Sequence, residues 1–557
     1  MTGNQKNDVT EGDLRQEMAF MQQESYNRIK IFDEIKAVSI IAVVLFHLRY
    51  FKYGYLGVDL FIVVAGYLTM QSVSRSIEKG TYGFVSFIVK RVRRLLPLVL
   101  LASASCLAIG YIVMLPDDYE NLAQSVIASA FFANNILCRI SSGDYWAINN
   151  DFKPLLHFWY LGVLMQLYCG FLLIVSVCKC NAKRIYSVTM ILGVVSLAMM
   201  FMGIGEQPLR FYYMPWRFYE FAIGVLLFAI FPHLPNKIHC SIPFVDIIGR
   251  ATLSVYVWHY VILAFYRYIA GPNLSFLFIS CYVIVLALIS YWSYLFFEKG
   301  GYSRKSFFMV LLCFILINVA AFHILQASGV MRDVTELDIK KDSAVKGMHN
   351  KYNERIRMMG ALFPSNSKIN VLVIGNSFAR DWVNVLLESK WADMINIAYS
   401  SQDANGVDLT RFLKKADVIF LAGVYIDRLP SQLRNAQGQI EIKGDLNVWV
   451  VGDKWLGVSN GMIYSRRFFN GYYDQQLTIP REMHNKLAQE RVAYHGKYID
   501  IMGLLSPDGI HIPVFTDDKK FISQDCKHFT QGGARYVARG IDLQACFGSL
   551  KSDGRMN

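Results

Sequence analysis

The chain has 557 residues, 54% of them hydrophobic and only 18% charged, with a mean hydropathy of +0.30; ordinary soluble domains carry about 25% charged residues, so a soluble globular enzyme is excluded as a description of the whole. Lysine and arginine (56) outnumber aspartate and glutamate (43), a formal charge of +13. Those basic residues lack the aromatic interleaving of a single-strand nucleic-acid surface and collect between apolar runs, as in cytoplasmic loops of membrane proteins.

Residues 1–30 are polar and lack the apolar core of a signal peptide, so the first apolar run is expected to stay as a membrane helix. Runs near the ~20 residues that cross a bilayer recur at about 31–50, 55–74, 95–115, 155–178, 185–204, 211–231, 245–269, 274–297 and 307–327. A tenth, Asn121 to Leu137, is amphipathic and lies on the surface or re-enters. Arg75, Lys79, Lys90, Arg91, Arg93 and Arg94 gather between the second and third runs, Lys179, Lys183 and Arg184 after the fourth, and Lys299, Arg304 and Lys305 after the eighth. All fall on one side if the N-terminus is cytoplasmic, and the acidic loop from Pro116 to Pro154 falls on the other. Nine or eleven helices then place everything after Ala327 outside; ten do not. The fold class expected is a polytopic α-helical membrane bundle of about 9–11 transmembrane helices (31–327), a polar linker (328–367) and an α/β domain (368–557).

Within that last part, short apolar runs at Asn370–Ile374, Met394–Ala398, Asp417–Leu421 and Asn447–Val451 predict strands. Ala379–Leu387, Asp408–Lys415 and Gly533–Leu543 predict helices. Strands alternating with helices point to a parallel sheet, whose sites lie at the carboxyl ends of strands. Ser377 stands at such an end. A serine needs a base to take its proton; His528 serves as that base and Asp525, three residues earlier, orients the ring. Cys526 and Cys546 lie in the same part and are candidates for a disulfide if it is outside the cytoplasm. No Cys-x-x-Cys pair occurs and no metal is expected.

The block Gly375-Asn376-Ser377 and the closing Asp525-Cys-Lys-His528 resemble the SGNH hydrolase family, with Asn replacing the family's Asp. The resemblance implies a flavodoxin-like parallel sheet and an oxyanion hole built with a glycine and an asparagine. Gly406 is the candidate glycine; the stretch Asp417–Tyr425 lies where the asparagine block would be, without asparagine.

Ionisable residues inside apolar runs are costly and read as functional by default. Lys36 and His47 share the first run, eleven residues and ~16 Å apart on roughly one helical face. Glu220 and Glu298 sit at the membrane edge near Arg217 and Lys299 and read as structural ion pairs. Asp33-Glu-Ile-Lys36, His47, Gly57-Val-Asp59, Phe87-Ile-Val-Lys-Arg91-Val-Arg-Arg94-Leu-Leu-Pro97, Leu115-Pro-Asp-Asp-Tyr, Pro154-Leu-Leu-His157-Phe-Trp, Arg217-Phe-Tyr-Glu220, Ser254-Val-Tyr-Val-Trp-His259 and Phe297-Glu298-Lys299 are similar in order and spacing to the membrane acyltransferase-3 family. Where fused members carry two glutamates after the Pro-Leu-Leu-His motif, this chain has Leu164 and Met165.

That resemblance implies acetyl-CoA or another acyl-CoA as donor, taken from the cytoplasm, with Lys36, Arg91 and Arg94 holding it, His47 catalytic, and Asp59 a further candidate. Ser377, Asp525 and His528 then acylate a hydroxyl outside. The expected enzyme is an O-acetyltransferase of the bacterial inner membrane acting on a cell-envelope glycan or lipid-linked oligosaccharide such as lipopolysaccharide O-antigen. It is embedded in membrane lipid and has no nucleic-acid partner. The alternatives are an extracytoplasmic glycan esterase and an acyl or glycan transporter.

Overall fold

The computed structural model describes residues 30–142, 148–232, 243–299, 304–341, 348–357, 359, 363–364, 368–402, 410–435, 439–441, 446–523 and 525–552. The N-terminal segment 1–29 and Gly406 lie outside the described residues. The chain divides into two compact units, one of residues 1–109 and 121–322, the other of 110–120 and 323–557.

In the first unit every one of the nine apolar runs is helical. The helices are Lys30–His47, Leu56–Glu78, Phe84–Val113, Trp159–Val177, Ala182–Phe201, Met214–Ile230, Thr252–Ala270, Phe276–Ser293 and Arg304–Gln326. Among the described residues six are long and apolar enough to cross a membrane, or seven counting Phe244–Arg250 with Thr252–Ala270, which meet at an 80° bend. Lys30–His47 has four charges in its first two turns, and Met214–Ile230 is 17 residues long. The third helix begins at Phe84, well before the expected 95, because its basic first turns stay helical along the apolar core instead of forming a loop. The 121–137 candidate is broken into Pro116–Ala130 and Asn134–Ser142.

Leu277, Leu288, Phe308, Leu312 and Leu316 project outward from the last helices, as an apolar solvent requires. The inner helices approach closely. A Cβ on Gly224 would stand 1.9 Å from the Val63 carbonyl oxygen, and one on Gly66 2.2 Å from that of Phe221. Small residues that bring backbones together are how helices associate in lipid, where hydrophobic drive is lacking. Gly224→Val is expected to lose about 1–3 kcal/mol or more by overpacking, seen as an earlier thermal unfolding transition of the detergent-solubilised protein.

The second unit holds a five-stranded parallel sheet of order β2-β1-β3-β4-β6: β1 Ile369–Gly375, β2 Ile395–Ser401, β3 Val418–Ala422, β4 Val448–Val451 and β6 Tyr498–Ile499. A separate antiparallel pair joins β5 Gln476–Thr478 to β7 His511–Pro513. The strands are buried almost throughout, which is why they read as continuous apolar runs. Trp382, Trp391, Phe420 and Phe547 pack the core against them. The segment expected as a linker contributes to this unit: Val334, Leu337 and Ile339 are buried, and Asn353 accepts from Asn384 of the Ser377–Glu388 helix. Cys526 and Cys546 are free thiols, so the candidate disulfide is not formed; Cys526 lies against Asn460 and Cys546 is buried in the sheet core.

Candidate active site

The chain turns from β1 to β2 on one side and then crosses to β3 on the other. The crevice between the carboxyl ends of β1 and β3 is therefore the switch point at which such sheets bind ligands. Ser377 opens the helix directly after β1. Gly375 enters this turn at φ 150°, where a Cβ would meet the Ala422 carbonyl at 1.8 Å. Asn376 is the N-cap: its Oδ1 accepts from Phe378 N at 2.9 Å while its own N–H donates to Gly423 O. Asn caps a helix as well as Asp does, so the exchange of Asp for Asn preserves the turn. Ala379 and Arg380 N–H reach Asn376 O, which leaves the Ser377 amide as the uncapped donor of the first turn, suited to an oxyanion.

Asp525 Oδ1 accepts from the backbone of Lys527 (3.0 Å) and His528 (2.7 Å), and its Oδ2 lies 2.6 Å from His528 Nδ1. A carboxylate only accepts, so Nδ1 carries the hydrogen and Nε2 is the basic nitrogen. The His528 ring is 6.2 Å from that of Phe378, the neighbour of Ser377. The serine turn and the Asp-His turn thus lie side by side.

Burial pushes the Asp525 carboxyl up, but the His528 ring and the two backbone donors outweigh it and hold it below the usual carboxylate range. Its stabilisation is fully present above the unfolded value and is lost as pH falls through the lowered folded one. Asp525→Asn is therefore expected to lower the unfolding temperature at pH 7 and to flatten its decline below about pH 4 relative to wild type, checked by thermal scans across pH.

A buried ion pair ties these turns together and was not legible beforehand. Lys454 Nζ lies 2.6 Å from Asp381 Oδ2, and both side chains are buried. The same oxygen accepts from Phe529 N, next to His528, and Lys454 stands over the Phe378 ring at 3.9 Å. Asp381 is one turn beyond Ser377 on its helix. Lys454→Met is expected to cost ~3–5 kcal/mol by stranding the Asp381 charge, and the double replacement with Asp381→Leu much less, read as thermal unfolding of the purified full-length chain. Gln402, at the end of β2, is engaged by Tyr425 N and O. No side-chain amide from 417–425 enters the crevice, as that stretch has none.

Two cavities of the first unit bear on the chemistry. One, of about 150 Å³, is lined by Lys36, Arg91, Arg94 and Arg250 with apolar and tyrosine walls. Three of these cations are the residues expected to hold a donor; Arg250 was missed because it ends a short helix between apolar runs. Lys36 also pairs with Asp33 at 3.2 Å, and Arg91 stands over the Phe87 and Tyr168 rings. Leu164, where the sequence resemblance leads one to expect a glutamate, lines this cavity with an apolar side chain. The second cavity, about 30 Å³, is lined by His47, Asp59, His157, Arg217 and His259. Tyr256 lines both. Arg217 donates to Asp59 (2.7 Å) and Glu220 (3.0 Å). Glu298 instead accepts from the backbone and hydroxyl of Ser254, near the N-terminus of the Thr252–Ala270 helix, and not from the expected Lys299. Among the described residues no group of three or more His, Cys, Asp or Glu side chains is placed to hold a metal.

Residues 29–239 match the acyltransferase domain family. The chain is similar to an uncharacterized protein of Haemophilus influenzae, 27% identical over 192 residues, which cover 33% of this chain and 78% of that protein. It is also similar to the O-acetyltransferase OatA of Staphylococcus aureus, 26% identical over 238 residues, 40% of this chain and 39% of OatA. The chain thus spans about two fifths of OatA. No solved structure matches. The matched residues 29–239, which carry Lys36, Arg91 and Arg94 of one cavity and His47, Asp59, His157 and Arg217 of the other, are thus similar to an acyltransferase domain.

Proposed function

We propose that the protein is a multi-pass inner-membrane O-acetyltransferase that moves an acetyl group from cytoplasmic acetyl-CoA to a hydroxyl of a cell-envelope glycan, O-antigen being the reference case. The observation that carries this reading is the pair of cavities meeting at Tyr256, one cationic and one histidine-lined. The phosphates of the donor pair with Arg91, Arg94 and Lys36, and the thioester reaches past Tyr256 to His47. The similarity to OatA supports the acetyl group and the hydroxyl acceptor.

The C–S bond of the thioester breaks, the CoA sulfur takes up a proton, and the acetyl carbon is passed to Ser377 Oγ, whose proton leaves by way of His528 Nε2 and restores the neutral ring. The glycan hydroxyl then attacks the acetyl-serine; His528 takes the hydroxyl proton and returns one to Ser377. Asp525 holds the ring in the tautomer this requires. The cytoplasmic N-terminus and extracytoplasmic second unit belong to the same reading. It is tested by mass analysis of envelope glycan from wild-type and deletion strains: acetyl esters present only in the wild type are expected, and identical glycans overturn it.

A further inference from the structure

Two imidazoles of the first unit have their tautomers dictated by backbone carbonyls. His157 Nε2 lies 3.0 Å from Val257 O, and His259 Nδ1 lies 2.6 Å from Tyr256 O. A carbonyl oxygen only accepts, so those nitrogens carry the hydrogens. His157 Nδ1 and His259 Nε2 therefore hold lone pairs, and neither has a hydrogen-bond partner among the described residues. The side chains are 2% and 0% exposed. A buried acceptor left unmatched costs about 1–3 kcal/mol, and two side by side are not explained by packing.

The two rings are 5.3 Å apart, and the His47 ring is 5.4 Å from that of His259. The small cavity beside them has room for a bridging water. Charged groups face the cluster on two sides. Asp59, held by Arg217, lines the same cavity. Arg267 donates to His47 O at 2.6 Å and to Asp151 at 3.0 Å. Asp151 also pairs with the largely exposed Arg49, so this side of the cluster has a polar link to solvent. On the other side Tyr256 separates the cluster from the cationic cavity.

The relay has a proton balance of its own. On the donor side a C–S bond breaks and the sulfur needs a proton. On the acceptor side a C–O bond forms and an O–H proton is released. Solution chemistry needs no net proton, but here the two events are divided by lipid. We propose that each acetyl transfer is matched by one proton passing the opposite way through His47, His259 and His157 to the cationic cavity, where it protonates the departing CoA sulfur. This rests on the relay reading above. The exchange is electroneutral, an acetyl equivalent outward for a proton inward.

The test uses the full-length protein in weakly buffered liposomes, with a pH-sensitive dye and glycan from a deletion strain trapped inside, and labelled acetyl-CoA added outside. Lumenal ester formation with a steady lumenal pH, at a rate indifferent to a potassium–valinomycin potential, is expected. One proton left in the lumen per ester, or a potential-dependent rate, overturns the coupling while leaving the acetyl relay standing. No lumenal ester at all overturns the relay and the coupling with it. His259→Gln is expected to acidify the lumen for each ester it still forms; a steady pH in that variant removes His259 from the route. The wild-type potential dependence decides the matter if the variant does not fold.

Discussion

Ser377→Ala is expected to lower the acetyl ester content of the glycan on the order of 10⁴-fold or more, the scale on which a nucleophile matters when a base and an orienter depend on it. Nothing nearby replaces it, since the residues beside it, Asn376 and Phe378, carry a capping amide and a ring. His528→Ala should lose about as much, and the double variant no more than either, because residues acting as a unit are not additive. Esters on the glycan at wild-type level in Ser377→Ala cells, with the variant present at normal abundance, would remove the second unit from the chemistry. The measurement is mass analysis of base-labile acetyl per repeat.

The second large effect is expected at the donor side. His47→Ala should lower kcat by ~10²–10⁴, the usual contribution of a positioned acid–base group, with little change in KM for acetyl-CoA. Arg91→Ala should do the reverse, raising KM and leaving kcat closer to wild type, because a phosphate contact remote from the thioester is held equally in ground and transition states. The geometry separates the two: His47 lines the histidine cavity and Arg91 the cationic one. Steady-state release of CoA by the reconstituted protein distinguishes them. A shared loss of kcat would mean that the cations of the larger cavity also set the position of the reacting carbon.

Much of this was legible from periodicity and spacing. Nine apolar runs are nine helices because each needs only its own length and composition to be recognised. Ser377, Asp525 and His528 announce themselves by a strand-to-helix turn and a short Asp-x-x-His. The strands β5 and β7 were not visible, since three residues carry no period. Lys454 was not visible either: a single lysine far from Asp381 in sequence has no local pattern, and only the closure of the sheet brings the two together. His157 and His259 stood inside recognised motifs, yet their role depends on which nitrogen each carbonyl claims, a matter of helix packing. The rule that intramembrane ionisable groups deserve a functional reading would have selected them.

The amide cap at Asn376 has a consequence at low pH. A carboxylate in that place would lose its grip on the Phe378 N–H once acid neutralised it, and the nucleophile's turn would loosen with it. An amide does not titrate in that range. The turn that presents Ser377 therefore keeps its shape when the pH falls.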